Sequence, residues 1–332
     1  MSSEIILEVR DLQTHFKTDD GLVKAVDGVS FTLHKGETLG IVGESGSGKS
    51  VTNLSLLKLV AQPPGRYAGG EILFMGQDIL KMSEDQLRTL RGNKISMIFQ
   101  DPMTSLNPFL RISTQLMETI QLHQKLDKKA AKAKAVEMLK QVGIPAPEKR
   151  VDSYPHQFSG GMRQRVMIAM ALSCNPEILI ADEPTTALDV TIQAQILELM
   201  KSLGEKLGTA TILITHDLGV VAGMCDRVCV MYAGRVVEEA ATQELFASPK
   251  HPYTVGLIRS VPRLDKKTKE RLYSIPGQPP HLVDLPDACP FHPRCDKVMD
   301  ICQTRYPGTT SLEGGRQVKC WLYEKPGEGK NE

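Results

Sequence analysis

Residues 159–183 read SGGMRQRVMIAMALSCNPEILIADE, and this stretch decides the fold of the chain. It begins with a serine and two glycines at the start of an apolar, helix-like run. It ends with the aliphatic segment Ile178–Ala181, followed by the adjacent carboxylates Asp182 and Glu183. Near-continuous aliphatic runs are typical of strands buried on both faces of a parallel sheet. The stretch therefore predicts an α/β protein with two carboxylates at the carboxyl edge of its sheet, where ligands bind in such folds.

The next element along the chain is a second aliphatic run, Thr211–Thr215. Between the two runs, apolar residues repeat at helical spacing from Ile192 to Leu207, and Gly208 is suited to end that helix. This pattern predicts a strand–helix–strand unit. Residues 111–142 also have a helical pattern. The N-terminal part contains short runs that favour strands, namely Ile5–Val9, Val29–Leu33 and Thr38–Val42.

Residues 43–50 match the full pattern of a phosphate-binding loop and follow an apolar strand, as that motif requires. Its glycines let backbone N–H groups close on phosphate oxygens, and the helix that follows adds partial positive charge. Lys49 supplies a point charge to the outer phosphates, and the Ser50 hydroxyl can ligate Mg²⁺. The loop consists of Gly43, Glu44, Ser45, Gly46, Ser47, Gly48, Lys49 and Ser50.

The carboxylates after the aliphatic run suit two different tasks. Asp182 can hold Mg²⁺ through water, and Glu183 can polarise the water that attacks a γ-phosphate.

Composition limits the kinds of partner. The 332 residues have a formal net charge of +1 and 5% aromatic residues, which disfavours nucleic acid as a partner. No run approaches the roughly 20 apolar residues that span a bilayer, and the acidic N-terminus lacks the features of a signal peptide. We therefore expect a cytoplasmic protein.

The chain resembles the ATP-binding-cassette family over roughly residues 4–260. The resemblance rests on motifs in the family's order and spacing: the phosphate loop, Gln100, Ser159-Gly160-Gly161, residues 178–183, residues 187–189 and His216. It implies a P-loop NTPase core with an N-terminal antiparallel β subdomain and an inserted helical subdomain at about residues 101–175. It also implies a head-to-tail pair of cassettes, in which each ATP lies between one subunit's phosphate loop and the other's serine–glycine signature.

The resemblance also implies roles for individual residues. Gln100 looks like the glutamine that senses Mg²⁺ and γ-phosphate, and His216 like the histidine that contacts γ-phosphate. Phe16 falls where the family places an aromatic ring under adenine, although core packing explains this residue nearly as well. Across the subunit interface, the signature residues would grip γ-phosphate and an aspartate would communicate between sites; these are Ser159, Gly160, Gly161 and Asp189.

One position departs from the family's commonest signature. Met162 stands where that signature has glutamine, and a thioether cannot replace the hydrogen bonds of an amide. The serine hydroxyl and the glycine amides are still present, so we expect the signature to work. Because Glu183 and His216 are present, we also expect this chain's phosphate loop to hold ATP that is hydrolysed.

The C-terminal part differs in composition, with many prolines and four cysteines, Cys289, Cys295, Cys302 and Cys320. Four thiolates suit a tetrahedral metal or an iron–sulfur cluster, and these gaps are wider than in most structural zinc sites. The interpretation is an iron–sulfur cluster first, Zn²⁺ second and unligated thiols third. The remaining cysteines, Cys174, Cys225 and Cys229, are expected to pack as small hydrophobic residues.

This C-terminal part also resembles the extension of the oligopeptide/dipeptide importer subfamily, and that resemblance implies that the four cysteines hold a [4Fe–4S] cluster. We therefore expect a nucleotide-binding domain over residues 1–262 and a cysteine-rich extension over residues 263–332. The implied function is ATP-driven peptide uptake at the cytoplasmic side of the cell membrane. The implied partners are a second cassette, identical or homologous, two permease subunits and an extracytoplasmic peptide-binding protein. The alternatives are an importer ATPase for another cargo such as nickel and a soluble ABC ATPase outside transport.

Overall fold

A computed structural model describes residues 4–186, 188–261, 273–283 and 285–324 of the chain. The described residues form two compact units. The first contains residues 34–38 and 81–214, and the second contains residues 5–33, 39–80 and those from 215 onward. Ala187 and the predicted domain boundary between residues 262 and 263 lie outside the described residues.

The strands of the described residues are β1 (Ile5–Thr18), β2 (Gly21–His34), β3 (Thr38–Val42), β4 (Gly65–Phe74), β5 (Gln77–Asp78), β6 (Ile95–Ile98), β7 (Ile178–Asp182), β8 (Ala210–Ile214), β9 (Arg227–Tyr232), β10 (Arg235–Ala241), β11 (Thr310–Ser311) and β12 (Gln317–Val318).

The helices are α1 (Lys49–Leu56), α2 (Glu84–Leu90), α3 (Pro102–Ser105), α4 (Ile112–Gln124), α5 (Lys128–Gln141), α6 (Pro147–Arg150), α7 (Gly160–Leu172), α8 (Val190–Leu207), α9 (Leu218–Met224), α10 (Thr242–Ala247) and α11 (Pro252–Ser260). No helix of the described ranges is long and apolar enough to cross a membrane.

The first unit contains three parallel strands, in which β7 pairs with β6 on one side and with β8 on the other. Every residue of β7 and β8 is buried, as expected for strands covered on both faces. The predicted parallel strands are therefore confirmed, with bounds that differ by one residue. The helix between them is confirmed too, since α8 ends at Gly208 in the left-handed conformation at φ 67°.

The helical pattern predicted over residues 111–142 is present in the first unit, and it is divided between two helices. The structure has two helices, α4 and α5, that pack against each other and against α7. Lys125 ends α4 in a left-handed conformation, and the Asp127 side chain begins α5 by accepting a hydrogen bond from the Ala130 N–H at 2.7 Å. The cap at Asp127 splits the helical pattern into a hairpin.

The second unit contains an antiparallel sheet with strand order β2-β1-β4-β5. Both β1 and β2 are longer than the predicted runs. β1 continues past a bulge, because its register against β4 shifts between Arg10 and Gln13, and Asp11 there has a φ of 46°. The bulge interrupts the alternation of side chains on which the shorter prediction depended.

The second unit also holds β3, which pairs in parallel with β9, while β9 and β10 are antiparallel. Strand β12 of the C-terminal part adds to the far side of β10. The residues around Cys289 to Cys302 form short 3-10 turns, His292–Arg294 and Asp300–Gln303.

Candidate functional site

The phosphate loop connects β3 to α1, and two of its glycines are required by close backbone neighbours. Gly43 has a φ of 154°, and a Cβ there would lie 2.2 Å from the Met231 carbonyl oxygen. Gly48 has a φ of 99°, and a Cβ there would lie 2.3 Å from the Ala25 carbonyl oxygen. No other residue type fits these positions without moving the backbone. The loop is thus packed on its outer side and has a fixed shape.

Lys49, the first residue of α1, is only 7% exposed. Its Nζ atom donates hydrogen bonds to the carbonyl oxygens of Gly43 at 2.8 Å and of Glu44 at 2.9 Å. These bonds hold the ammonium group against the loop backbone, where it can meet the outer phosphates of a nucleotide. Ser50 follows on the same helix and is exposed.

The two adjacent carboxylates, Asp182 and Glu183, lie in the first unit. Asp182 is the last residue of β7 and is 6% exposed. Glu183 follows with a φ of 46°, a left-handed conformation that costs a non-glycine residue about 1–3 kcal/mol. Its N–H donates to the carbonyl oxygen of Ile214 at 2.9 Å, which holds the turn in place. The chain thus turns sharply after Asp182 and gives the two neighbouring acids different directions.

The structure brings Gln100 and Glu183 together, although 83 residues separate them in the chain. The Gln100 side-chain amide donates to Glu183 Oε2 at 3.0 Å, and the Thr186 hydroxyl donates to the same oxygen at 3.0 Å. These two hydrogen bonds orient the carboxylate. Neither the amide nor the hydroxyl donor can itself take a proton from water. Gln100 and Glu183 therefore form one hydrogen-bonded group, and their roles toward ATP stay predictions.

The serine–glycine signature starts α7. Ser159 Oγ caps the helix by accepting the Met162 N–H at 3.3 Å, so its own O–H stays able to donate. A Cβ on Gly161 would lie 2.7 Å from Ile192 Cγ2, in the first turn of α8. Asp189 caps that helix by accepting the Ile192 N–H at 3.0 Å. The predicted signature and Asp189 thus lie at two helix starts in contact with each other.

Two further predicted residues belong to the second unit. His216 is exposed and comes directly before Asp217, whose side chain caps α9. Phe16 is half-buried on β1, opposite Gly65 of β4, and a Cβ on that glycine would lie 3.1 Å from the Phe16 ring. The glycine leaves room for the ring, and the assignment of Phe16 to adenine stays a prediction.

Comparison with known proteins places this geometry in a family. The family model described as "ABC transporter" matches residues 26–186, and the model "Oligopeptide/dipeptide transporter, C-terminal region" matches residues 237–302. The chain is 56% identical to the oligopeptide transport ATP-binding protein OppD of Bacillus subtilis, over 96% of this chain and 88% of that protein. It is 53% identical to the dipeptide transport ATP-binding protein DppD of the same organism, over 98% and 97%. The chain belongs to the ATP-binding-cassette family.

Solved structures resemble this cassette as well. The dimeric structure of the cassette MJ0796 in a post-hydrolysis state, bound to ADP and phosphate, has a TM-score of 0.63 and 28% identity. It covers 71% of this chain and 98% of that one. The structure of cbiO1 from Clostridium perfringens has a TM-score of 0.62 and 30% identity, and covers 74% of this chain and 92% of that one. The predicted P-loop fold and ATP hydrolysis are thereby confirmed for the cassette.

The four C-terminal cysteines of the cassette are not arranged as a ready-made metal site. No group of three or more His, Cys, Asp or Glu side chains within the described ranges could hold a metal ion. Cys302 is buried, and the other three are half-buried. Burial, with a smaller contribution from repulsion by the neighbouring thiolates, raises the pKa of Cys289 to about 11 and that of Cys320 to about 11. The four thiols therefore influence one another, without the predicted iron–sulfur cluster being confirmed.

The sequence did not predict that residues of the C-terminal part of the cassette hold the phosphate loop. Arg294 makes two hydrogen bonds to the Glu44 carboxylate, at 2.7 and 3.0 Å. The Tyr253 hydroxyl accepts the Glu44 N–H at 2.8 Å. The segments His251–Thr254 and Pro290–Cys295 stand out in the sequence only by their resemblance to the importer subfamily. No spacing rule connects them to residue 44.

Proposed function

We propose that this chain is the ATP-hydrolysing subunit of an importer of short peptides. The observation that carries the proposal is its identity of more than half, along nearly the whole chain, to oligopeptide and dipeptide transport ATP-binding proteins. An unbroken phosphate loop and the Gln100–Glu183 group support it, because a subunit that only bound nucleotide would need no oriented base.

The chemistry divides between two groups of residues in this proposal. Lys49 and the loop amides hold the β- and γ-phosphates, and Glu183 takes the proton of the attacking water. Mg²⁺, held by Ser50, Gln100 and water on Asp182, would neutralise charge that develops on the phosphate oxygens. Gln100 keeps the Glu183 carboxylate oriented until the water is in place.

A second cassette completes the site. Ser159 keeps an O–H donor at the start of α7, and the Gly160 and Gly161 amides point out of the same helix start. A helix N-terminus of this kind binds anions, so it suits the γ-phosphate held by the loop of a partner cassette. Asp189 would communicate between the two ATP sites, and His216 would contact the γ-phosphate.

The test of the proposed base is Glu183→Gln. A glutamine carbonyl can still accept from Gln100 and Thr186, but it cannot take a proton from water. We expect ATP binding to be retained and the hydrolysis rate to fall by about 10²–10⁴-fold, measured by phosphate release. Glu198→Gln, at an exposed position of α8, is the matched control and should hydrolyse ATP normally. Normal turnover in Glu183→Gln would contradict the assignment.

Permease subunits would contact the segment that follows β6. Phe99 is 45% exposed and Phe109 is 86% exposed, and Leu110 next to it is exposed as well. Large exposed apolar side chains in one segment suit a protein contact. Gln100 lies in the same segment, so a permease bound there would be one residue away from the group that orients Glu183. This arrangement would place the cassette on the cytoplasmic face of the membrane, with a peptide-binding protein on the other side.

The helices of residues 101–175 would form the inserted helical subdomain, and residues 263–332 the cysteine-rich extension. Within that extension, backbone N–H groups point at thiols: the Lys297 N–H donates to Cys295 Sγ at 3.4 Å, and N–H groups of residues 291 and 292 lower the pKa of Cys289 against the effect of burial. N–H···S bonds of this kind are typical of iron–sulfur sites. The number and type of donors suit a [4Fe–4S] cluster held by Cys289, Cys295, Cys302 and Cys320, and these thiols would have to come closer together to bind it. The cluster would stabilise the folded form of this segment and would take no part in ATP hydrolysis.

Purification without oxygen tests the cluster. We expect a brown protein with iron and acid-labile sulfide, and expect Cys302→Ser to lose both, because three thiolates hold the cluster poorly. Cys174→Ser is the control, since Cys174 lies in the first unit and should not affect iron content. A colourless protein that contains zinc would replace the cluster with the alternative metal, and a protein without metal would contradict both.

A further inference from the structure

The second residue of the phosphate loop is fixed from the C-terminal part of the chain. Arg294 Nη1 donates to Glu44 Oε2 at 2.7 Å, and Nη2 donates to Oε1 at 3.0 Å. The Arg294 side chain is 4% exposed and that of Glu44 is 28% exposed. This is a two-bond pairing of a guanidinium with a carboxylate, the strongest and most directional form of ion pair.

Arg294 is itself held in place on every side. Its Nε donates to the carbonyl oxygen of Pro276 at 2.9 Å, and Nη1 also donates to the Tyr232 hydroxyl at 3.3 Å. The guanidinium carbon lies 5.9 Å from the centre of the Phe291 ring. A side chain with this many partners has one position, so it can act as a rigid support for Glu44.

An aromatic group supports the backbone of the same loop residue. Tyr253 is fully buried and accepts the Glu44 N–H, and its ring centre lies 4.5 Å from that of Tyr232 and 5.4 Å from that of Phe291. Side chain and backbone of Glu44 are thus both bound by residues 232–294. Neither contact is available for phosphate, so both serve the shape of the loop.

We propose that Arg294 is a positioning residue for ATP binding, which fixes the phosphate loop through Glu44. The inference rests on the proposed function, since it concerns the same ATP site. Loss of the guanidinium would leave the half-buried Glu44 carboxylate with an incomplete partner. The nucleotide itself would then have to order the loop. The binding free energy of ATP is reduced by the cost of ordering the loop, and the affinity for ATP therefore falls.

The pair also links two parts of the chain that the sequence keeps apart. Arg294 precedes Cys295, and the His292 ring bonds to the Cys289 carbonyl oxygen at 2.8 Å. Coupling between two sites is reciprocal, so a nucleotide that prefers the fixed loop also stabilises the cysteine segment. Nucleotide binding should therefore slow hydrogen exchange in residues 289–302.

A double-mutant cycle on the whole chain tests the proposal. Glu44→Gln keeps the shape of the side chain and removes its charge, and Arg294→Lys keeps the charge but loses the two-bond fork. We expect each variant to raise the Kd for Mg·ATP about tenfold, equivalent to about 1.4 kcal/mol. The double variant should also be about tenfold weaker, because both changes break one interaction. Arg305→Lys, in the same segment but stacked on Trp321, is the control and should bind normally.

The outcomes separate this inference from the proposed function. Equal ATP affinity in all variants, or single effects that add in full, would overturn the role of Arg294 while leaving the ATPase proposal intact. A wild-type chain that binds no ATP would instead contradict the proposed function. Hydrogen exchange provides a second measurement: the slowing by nucleotide in residues 289–302 should be lost in Arg294→Lys, and an unchanged response would count against the proposal.

Discussion

The two glycines of the signature, Gly160 and Gly161, have different neighbours. A Cβ on Gly161 would lie 2.7 Å from Ile192 Cγ2, whereas a Cβ on Gly160 would have its nearest neighbour, Leu188, at 3.7 Å. Ile192 is β-branched and lies in the first turn of α8, so it cannot easily rotate away. Only one of the two glycines is therefore required for packing, although both were predicted from the same motif.

This difference predicts the stability of two alanine variants. Gly161→Ala should lower the free energy of unfolding by about 1–3 kcal/mol, because the two helix starts must move apart. Gly160→Ala meets only ordinary contact distances and gains helix propensity, so its stability should equal or exceed that of the wild type. Urea unfolding of both proteins is the measurement. Equal stability of the two variants would show that α7 and α8 can separate at no cost.

At the scale of elements, the sequence predicted buried elements better than exposed ones. Strands β7 and β8 are nearly continuous apolar runs, and helix α8 is an apolar pattern at helical spacing. All three have clear ends, and each was found within a residue or two of its predicted bounds. The helical pattern over residues 111–142 was predicted without the break that makes α4 and α5 a hairpin. Its break depends on a local competition, since the Asp127 carboxylate captures a backbone N–H that a continuous helix would use.

Within the candidate site, too, some features could be predicted from the sequence and others could not. The phosphate loop and the Asp182–Glu183 pair were predictable because each motif is local in the chain and its chemistry sets its spacing. The support of Glu44 by Arg294 was not, because a single ion pair between distant residues leaves no periodic pattern in either segment. The left-handed turn at Glu183 could not be predicted for another reason. A left-handed conformation usually indicates glycine, so a glutamate at this position gives no sign of it.

At the scale of the whole molecule, one buried histidine predicts a dependence of stability on pH. His251 is 2% exposed, and burial lowers its pKa to about 3, while an unfolded histidine titrates near 6.5. Between these values the unfolded chain binds the extra proton. The stabilising contribution is therefore complete above about pH 6.5 and is lost as the pH falls towards about 3.

His251→Asn should make this dependence shallower. An asparagine side chain does not titrate, and it can still cap α11 in place of the His251 Nδ1 atom, which accepts the Tyr253 N–H. We expect the free energy of unfolding of the variant to fall less between about pH 7 and about pH 4 than that of the wild type. His156→Asn, at an exposed position, is the control and should keep the wild-type slope. A steep slope in His251→Asn would assign the acid sensitivity to other groups.

The ion pair between Glu44 and Arg294 joins residues 250 positions apart. During synthesis, a ribosome makes the phosphate loop 250 residues before its support. In that interval the nascent chain carries a complete nucleotide motif without the arginine that would fix it. On the proposed role of Arg294, the order of synthesis delays full ATP affinity until the cysteine segment has emerged, and a truncated product ending before residue 294 would compete poorly for cellular nucleotide.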